Sequence, residues 1–153
     1  MVEDLQKKGV QVLESRKELE QLKEGTVIIR SHGVPKEIYD LIEQKDLELV
    51  DATCYYVQKI HQIVWDKSNE GKDILIIGNG SHPEVEGICG WCRNGADVIE
   101  TEEEAHQYVH DQEKPLCIVG CFNGTGISKQ SLTFIRTQFQ VHIDTAQISM
   151  QLG

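Results

Sequence analysis

Three short segments carry side chains able to do chemistry, and each falls where a strand gives way to a helix. They are Ser31-His32-Gly33, Asp51-Ala52-Thr53-Cys54 and Ser81-His82-Pro83-Glu84. In a parallel α/β sheet the ligand site lies beyond the carboxyl ends of the strands, where helix N-termini present free N–H groups. Histidines at two equivalent turns, His32 and His82, each preceded by serine, could donate N–H bonds to a phosphate. They could equally be surface or capping residues. Gly33 and the Gly78-Asn79-Gly80 turn would let the backbone approach an anion closely. Glu84 lies in the same turn as His82 and could exchange protons with a substrate, or simply favour a helix start through the dipole. Cys54 opens a helix, at the end of the dipole that favours a metal-ligating or nucleophilic thiolate. A small buried residue is the alternative there.

The five cysteines are Cys54, Cys89, Cys92, Cys117 and Cys121, and no signal core precedes them. That combination points to reduced thiols or metal ligands, not disulfides. Cys89-Gly90-Trp91-Cys92 has the spacing of a redox dithiol or of half a zinc site. A redox pair usually opens a helix directly after a strand, whereas this one follows a helical turn begun at Pro83. Cys117 and Cys121 flank a strand, a doubtful geometry for completing a zinc site. Structural thiols are the favoured reading, with a zinc or thiol-redox protein built on Cys89 and Cys92 as an alternative.

Positioning these residues requires alternating strands and helices, and the apolar pattern supplies them. Strands are predicted at Gln11–Glu14, Thr26–Arg30, Glu48–Val50, Asp73–Ile77, Asp97–Glu100, Leu116–Val119 and Val141–Asp144. Helices are predicted from Pro35 to Gln44, Tyr55 to Glu70, Glu102 to Gln112 and Ser128 to Gln138, and the first residues read as the middle of another. Helix-separated strands make βαβ units. The expected fold is α/β, with two adjacent βαβ units and parallel sheets, one incomplete and one four-stranded. Residues 1–53 would form part of a first domain, and residues 54–153 a second with the start of a third. The Val27–Arg30 strand runs into Ser31-His32 as the Ile74–Ile77 strand runs into Ser81-His82, which suggests two related modules.

The charge of −10, from 25 acidic and 15 basic residues, argues against a nucleic-acid partner. No apolar run approaches the length needed to span a bilayer. With no apolar N-terminal segment, the protein is expected to be cytoplasmic.

Ser-His-Gly-Val-Pro at 31–35, Asp-Ala-Thr-Cys at 51–54 and His-Pro-Glu-Val-Glu-Gly at 82–87 also share an order and spacing. Together they resemble the LytB/IspH family, the 4-hydroxy-3-methylbut-2-enyl diphosphate reductases of the non-mevalonate route to isoprenoids. The resemblance implies a [4Fe–4S] cluster held by three cysteines at the centre of three α/β domains. Cys54 matches one of those ligands. His32 and His82 match positions that hold the substrate diphosphate, and Glu84 matches the carboxylate that protonates the leaving hydroxyl. The implied reaction is reductive dehydroxylation to isopentenyl and dimethylallyl diphosphates. Its electrons come from a donor protein, and the open iron of the cluster acts as Lewis acid.

The chain also departs from that pattern. Cys121-Phe122-Asn123 stands where the family usually has Gln-Thr-Thr, and Gln147 stands where another cluster cysteine is expected. By the same resemblance a further cysteine and a further diphosphate-binding histidine precede residue 1, and a third domain follows residue 153. With one cluster ligand of three, the chain is expected to be inactive alone. A non-catalytic α/β module for anion binding or protein interaction is the alternative.

Overall fold

The computed structural model describes residues 2–111 and 113–120. Among them are six helices and five strands, ordered α1 (Val2–Lys7), α2 (Arg16–Gln21), β1 (Thr26–Ile29), α3 (Lys36–Gln44), β2 (Glu48–Asp51), α4 (Tyr55–Asn69), β3 (Asp73–Ile77), α5 (Pro83–Cys89), β4 (Asp97–Ile99), α6 (Glu102–Gln107) and β5 (Leu116–Gly120). Every strand pairing is parallel. β1 lies beside β2 with Thr26 opposite Glu48 and Ile29 opposite Asp51. The second sheet has the order β4-β3-β5. The α/β class with two parallel sheets is as the apolar pattern predicts. The expected fourth strand of the second sheet, Val141–Asp144, and the expected helix Ser128–Gln138 lie outside the described residues.

β3 shows why an almost unbroken apolar run becomes a central strand. Successive side chains point to opposite faces, so a strand covered on both sides needs apolar residues at every position. Ile74 and Ile76 pack with Ile60 and Val64 of α4, Val85 and Ile88 of α5, and Cys117 and Val119 of β5. Leu75 and Ile77 face the other way, onto Ile99, Ala105 of α6, Leu116 and Ile118. A separate cluster of Leu19, Ile29, Ile42 and Leu47 fastens α2 and α3 to the first sheet. Helix α4 buries Val57, Ile60, His61, Val64 and Ser68 along one stripe.

Three elements differ from the predicted ones. Gln11–Glu14 is not a strand: no strand among the described residues pairs with it, and Leu13 instead packs against the cluster of Leu19, Ile29, Ile42 and Leu47. Immediately after it comes α2, which the apolar pattern misses. Its start is set by Ser15, whose hydroxyl accepts from Glu18 N while the Glu18 carboxylate accepts from Glu14 N. The helix that begins at Glu102 ends at Gln107, not at Gln112. Two bonds draw the chain off its axis: Tyr108 OH donates to Asp97 at 2.8 Å, and His110 Nε2 lies 3.1 Å from Asp73. These aspartates are the first residues of β4 and β3. The acidic stretch at 100–104 is a helix start, where Thr101 and Glu104 form a reciprocal capping box. No helix among the described residues is long and apolar enough to cross a membrane.

Candidate functional site

The three chemistry-bearing segments all follow carboxyl ends of parallel strands, and the structure brings them together. Ser31-His32-Gly33 follows β1, closed by a 3.0 Å bond from Gly33 N to Arg30 O. Gly33 has φ +71°, a left-handed conformation that suits glycine. The turn from β2 into α4 is built on Asp51, whose carboxylate accepts from Thr53 N at 2.9 Å and from Tyr39 OH at 3.1 Å. Cys54 is the N-cap of α4, but its side chain makes no capping hydrogen bond. Its backbone N–H donates to Ser31 O at 2.9 Å, which ties the cysteine segment to the His32 turn.

His82 caps α5. Its Nδ1 accepts from Glu84 N at 3.3 Å, which places the neutral ring's proton on Nε2, where it can be donated. The rings of His32 and His82 meet edge to face, with centroids 5.7 Å apart. His32 Nδ1 is buried and has no hydrogen-bond partner among the described residues. Glu84 is buried at 7% exposure, two residues past His82 in the chain. A residue on each of two strand-following turns, fifty positions apart in sequence, therefore shares one small volume. Such a pair can grip an anion from two sides while a carboxyl group stands by.

Sequence reasoning overlooked one residue at this junction. His61 lies on the buried stripe of α4 at 2% exposure and stacks on Trp91, with centroids 5.0 Å apart and planes 15° apart. Burial pushes its pKa down to about 4, against an opposing pull from Asp51. It is a neutral imidazole at neutral pH. The signal was present in the spacing: His61 falls between Ile60 and Val64 on the apolar face of α4.

Cys89, Cys92 and Cys117 belong to the apolar cluster around β3. None of them, nor Cys54, is in a disulfide. Burial pushes the Cys92 thiol up to about 12, helped by Cys89 and Cys117, and burial raises Cys89 as well. A thiol so held is a poor nucleophile at neutral pH. Among the described residues no group of three or more His, Cys, Asp or Glu is arranged to hold a metal ion. Cys121 lies outside them. Alkylation of the native chain with iodoacetamide at pH 8 is expected to leave Cys92 unmodified in peptide maps. Rapid labelling of Cys92 would favour the thiol-redox alternative.

Comparison with known proteins connects this geometry to a lineage. The family described as LytB protein matches residues 1–152. The chain belongs to that family. The 4-hydroxy-3-methylbut-2-enyl diphosphate reductase of Caldanaerobacter subterraneus subsp. tengcongensis is 46% identical over 106 residues, covering 69% of this chain and 36% of the relative. That of Clostridioides difficile is 47% identical over 93 residues, covering 61% of the chain and 33% of the relative. Among solved LytB structures, the E-1-hydroxy-2-methyl-but-2-enyl-4-diphosphate reductase from Plasmodium falciparum matches with TM-score 0.72 and 25% identity, over 90% of this chain and 42% of that one. A second, (E)-4-hydroxy-3-methyl-but-2-enyl diphosphate reductase, the terminal enzyme of the non-mevalonate pathway, matches with TM-score 0.66 and 31% identity, over 93% and 49%. The matched part of the chain thus spans about a third of these two curated relatives and under half of these solved chains.

Proposed function

We propose that this chain is the diphosphate-receiving portion of a 4-hydroxy-3-methylbut-2-enyl diphosphate reductase, an oxidoreductase of the non-mevalonate pathway. The observation that carries this reading is the meeting of His32 and His82, with buried Glu84 beside them, in a member of the LytB family. His32 and His82 would hold the substrate's diphosphate by N–H donation, His82 through the nitrogen that its Nδ1 bond leaves protonated. Glu84, partly shielded from water, would deliver a proton to the hydroxyl that leaves. Cys54 would supply one thiolate to the iron–sulfur cluster from the start of α4.

The described residues do not by themselves fit a four-iron cluster. Such a cluster takes three or four thiolates, and Cys54 is the one cysteine among the described residues that stands at the junction of the turns. The others line the core. The remaining ligands would have to come from outside the described residues. Residues 1–53 would belong to one domain and residues 54–153 to a second. The partners would be the diphosphate substrate and an electron-donor protein.

The single thiolate also favours a second reading, a non-catalytic module that keeps the anion-binding turns. Anaerobic reconstitution with iron and sulfide, followed by absorption and EPR spectra and a turnover assay, tests the proposal. This chain alone is expected to give no stable four-iron signal and no turnover. A stable signal or turnover would contradict the one-thiolate description, and tight stoichiometric zinc would promote the thiol–zinc alternative.

A further inference from the structure

His61 is buried, its Nε2 has no hydrogen-bond partner among the described residues, and it takes no part in the proposed anion site. Its ring stands where three segments converge: the loop after β1, α4 itself, and the end of α5. Trp91 stacks on the ring face and is itself pinned by a 3.0 Å bond from Nε1 to Val34 O. The ring's outer edge bears on the Gly33 backbone and faces Gly87 across a gap that would admit a methyl. A Cβ placed on Gly33 would stand 2.5 Å from His61 Cε1 and 3.3 Å from Nε2, and one on Gly87 would stand 3.6 Å from Nε2. Gly33 directly follows His32. Gly87 lies one helical turn past Glu84, and its Cβ would also be 3.6 Å from His32 O. Whatever fills that point fixes how far apart the two turns sit. An aliphatic residue would fill the volume without leaving a nitrogen unpaired, which is the cheaper choice for stability alone. It could not lie flat on an indole while keeping a thin edge against the Gly33 backbone.

We infer that His61 is a positioning residue: its ring, clamped by Trp91 against Gly33 and facing Gly87, sets the separation of His32 from His82 and Glu84. The inference rests on the reading of His32 and His82 as anion-binding histidines. Its test has one arm that needs no ligand. In the full chain, the nuclear Overhauser contact between the His32 and His82 rings and the affinity for inorganic diphosphate are measured for wild type, His61→Leu and Ile60→Ala. Ile60 is a buried neighbour on α4 that faces the apolar core around β3, so its truncation controls for lost stability.

His61→Leu is expected to lose the ring contact and to weaken diphosphate at least tenfold. Ile60→Ala is expected to keep both while melting at lower temperature. A folded His61→Leu that retains the ring contact overturns the inference, as does loss of the contact in both variants. Should His61→Leu not fold, Trp91→Leu takes its place and must give the same loss. If the wild type binds no diphosphate, the functional proposal falls, while the ring contact alone still decides the role of His61.

Discussion

Gly33→Ala is expected to destabilise the chain by about 3 kcal/mol and to weaken inorganic diphosphate binding at least tenfold. Two costs add. A non-glycine residue at φ +71° pays about 1 kcal/mol for the left-handed conformation, and overpacking a filled site costs roughly 1–3 kcal/mol more. The second cost is hard to relieve. The new methyl would meet His61 Cε1 at 2.5 Å, and His61 cannot retreat because Trp91 is stacked on it. The turn that carries His32 must then move. At about 2–4 °C per kcal/mol for a chain of this size, thermal melts should fall by roughly 10 °C. Gly87→Ala is the matched contrast. Its Cβ would make ordinary contacts of 3.6 to 3.7 Å, and alanine gains up to about 1 kcal/mol in helix propensity. Its melting temperature should hold or rise. Equal damage from both substitutions would show that the contact with His61 is not what matters.

Acid should destabilise the chain through His61. Its pKa in the folded chain is about 4, whereas an unfolded histidine titrates near 6.5. Between those values the unfolded chain binds the proton and the folded chain does not. The stability His61 contributes is therefore fully present above pH 6.5 and is lost as pH falls toward 4. The gap corresponds to about 3 kcal/mol in all. Carboxylates titrate in the same range, so the useful quantity is the difference from His61→Leu. Urea unfolding at pH 7.0 and 4.5 should show a loss about 2 kcal/mol greater in wild type than in His61→Leu. Equal losses would mean that His61 is not kept neutral by burial.

Much of the scaffold was legible because strands buried on two faces leave an unmistakable residue pattern. Asp73–Ile77 and Tyr55–Asn69 could be placed from apolar spacing, since each is fixed by the core it must fill. The Val-Leu pair at 12 and 13 misled for the complementary reason: a strand needs a partner, and sequence near Gln11 says nothing about whether one is present. Helix α2 is short and highly charged, so periodicity hides it, but the Ser15-x-x-Glu18 cap announces it. His32, His82, Glu84 and Cys54 could be picked out because they share a position at strand-to-helix turns. That His32 and His82 touch could not be read, because it depends on how the two sheets pack. His61 escaped because an imidazole on an apolar stripe looks like an accident of composition. Its meaning comes from Trp91, thirty residues on, and from two glycines on other segments.

The two-histidine anion site is tested most directly by calorimetric titration of inorganic diphosphate into the full chain and into His32→Ala/His82→Ala. Each lost donor to an anion is worth about 1.5–3 kcal/mol, tenfold or more in affinity. The wild type is expected to bind with one-to-one stoichiometry and the double variant at least a hundredfold more weakly. Affinity unchanged in a folded double variant, or no binding by the wild type, would contradict the site.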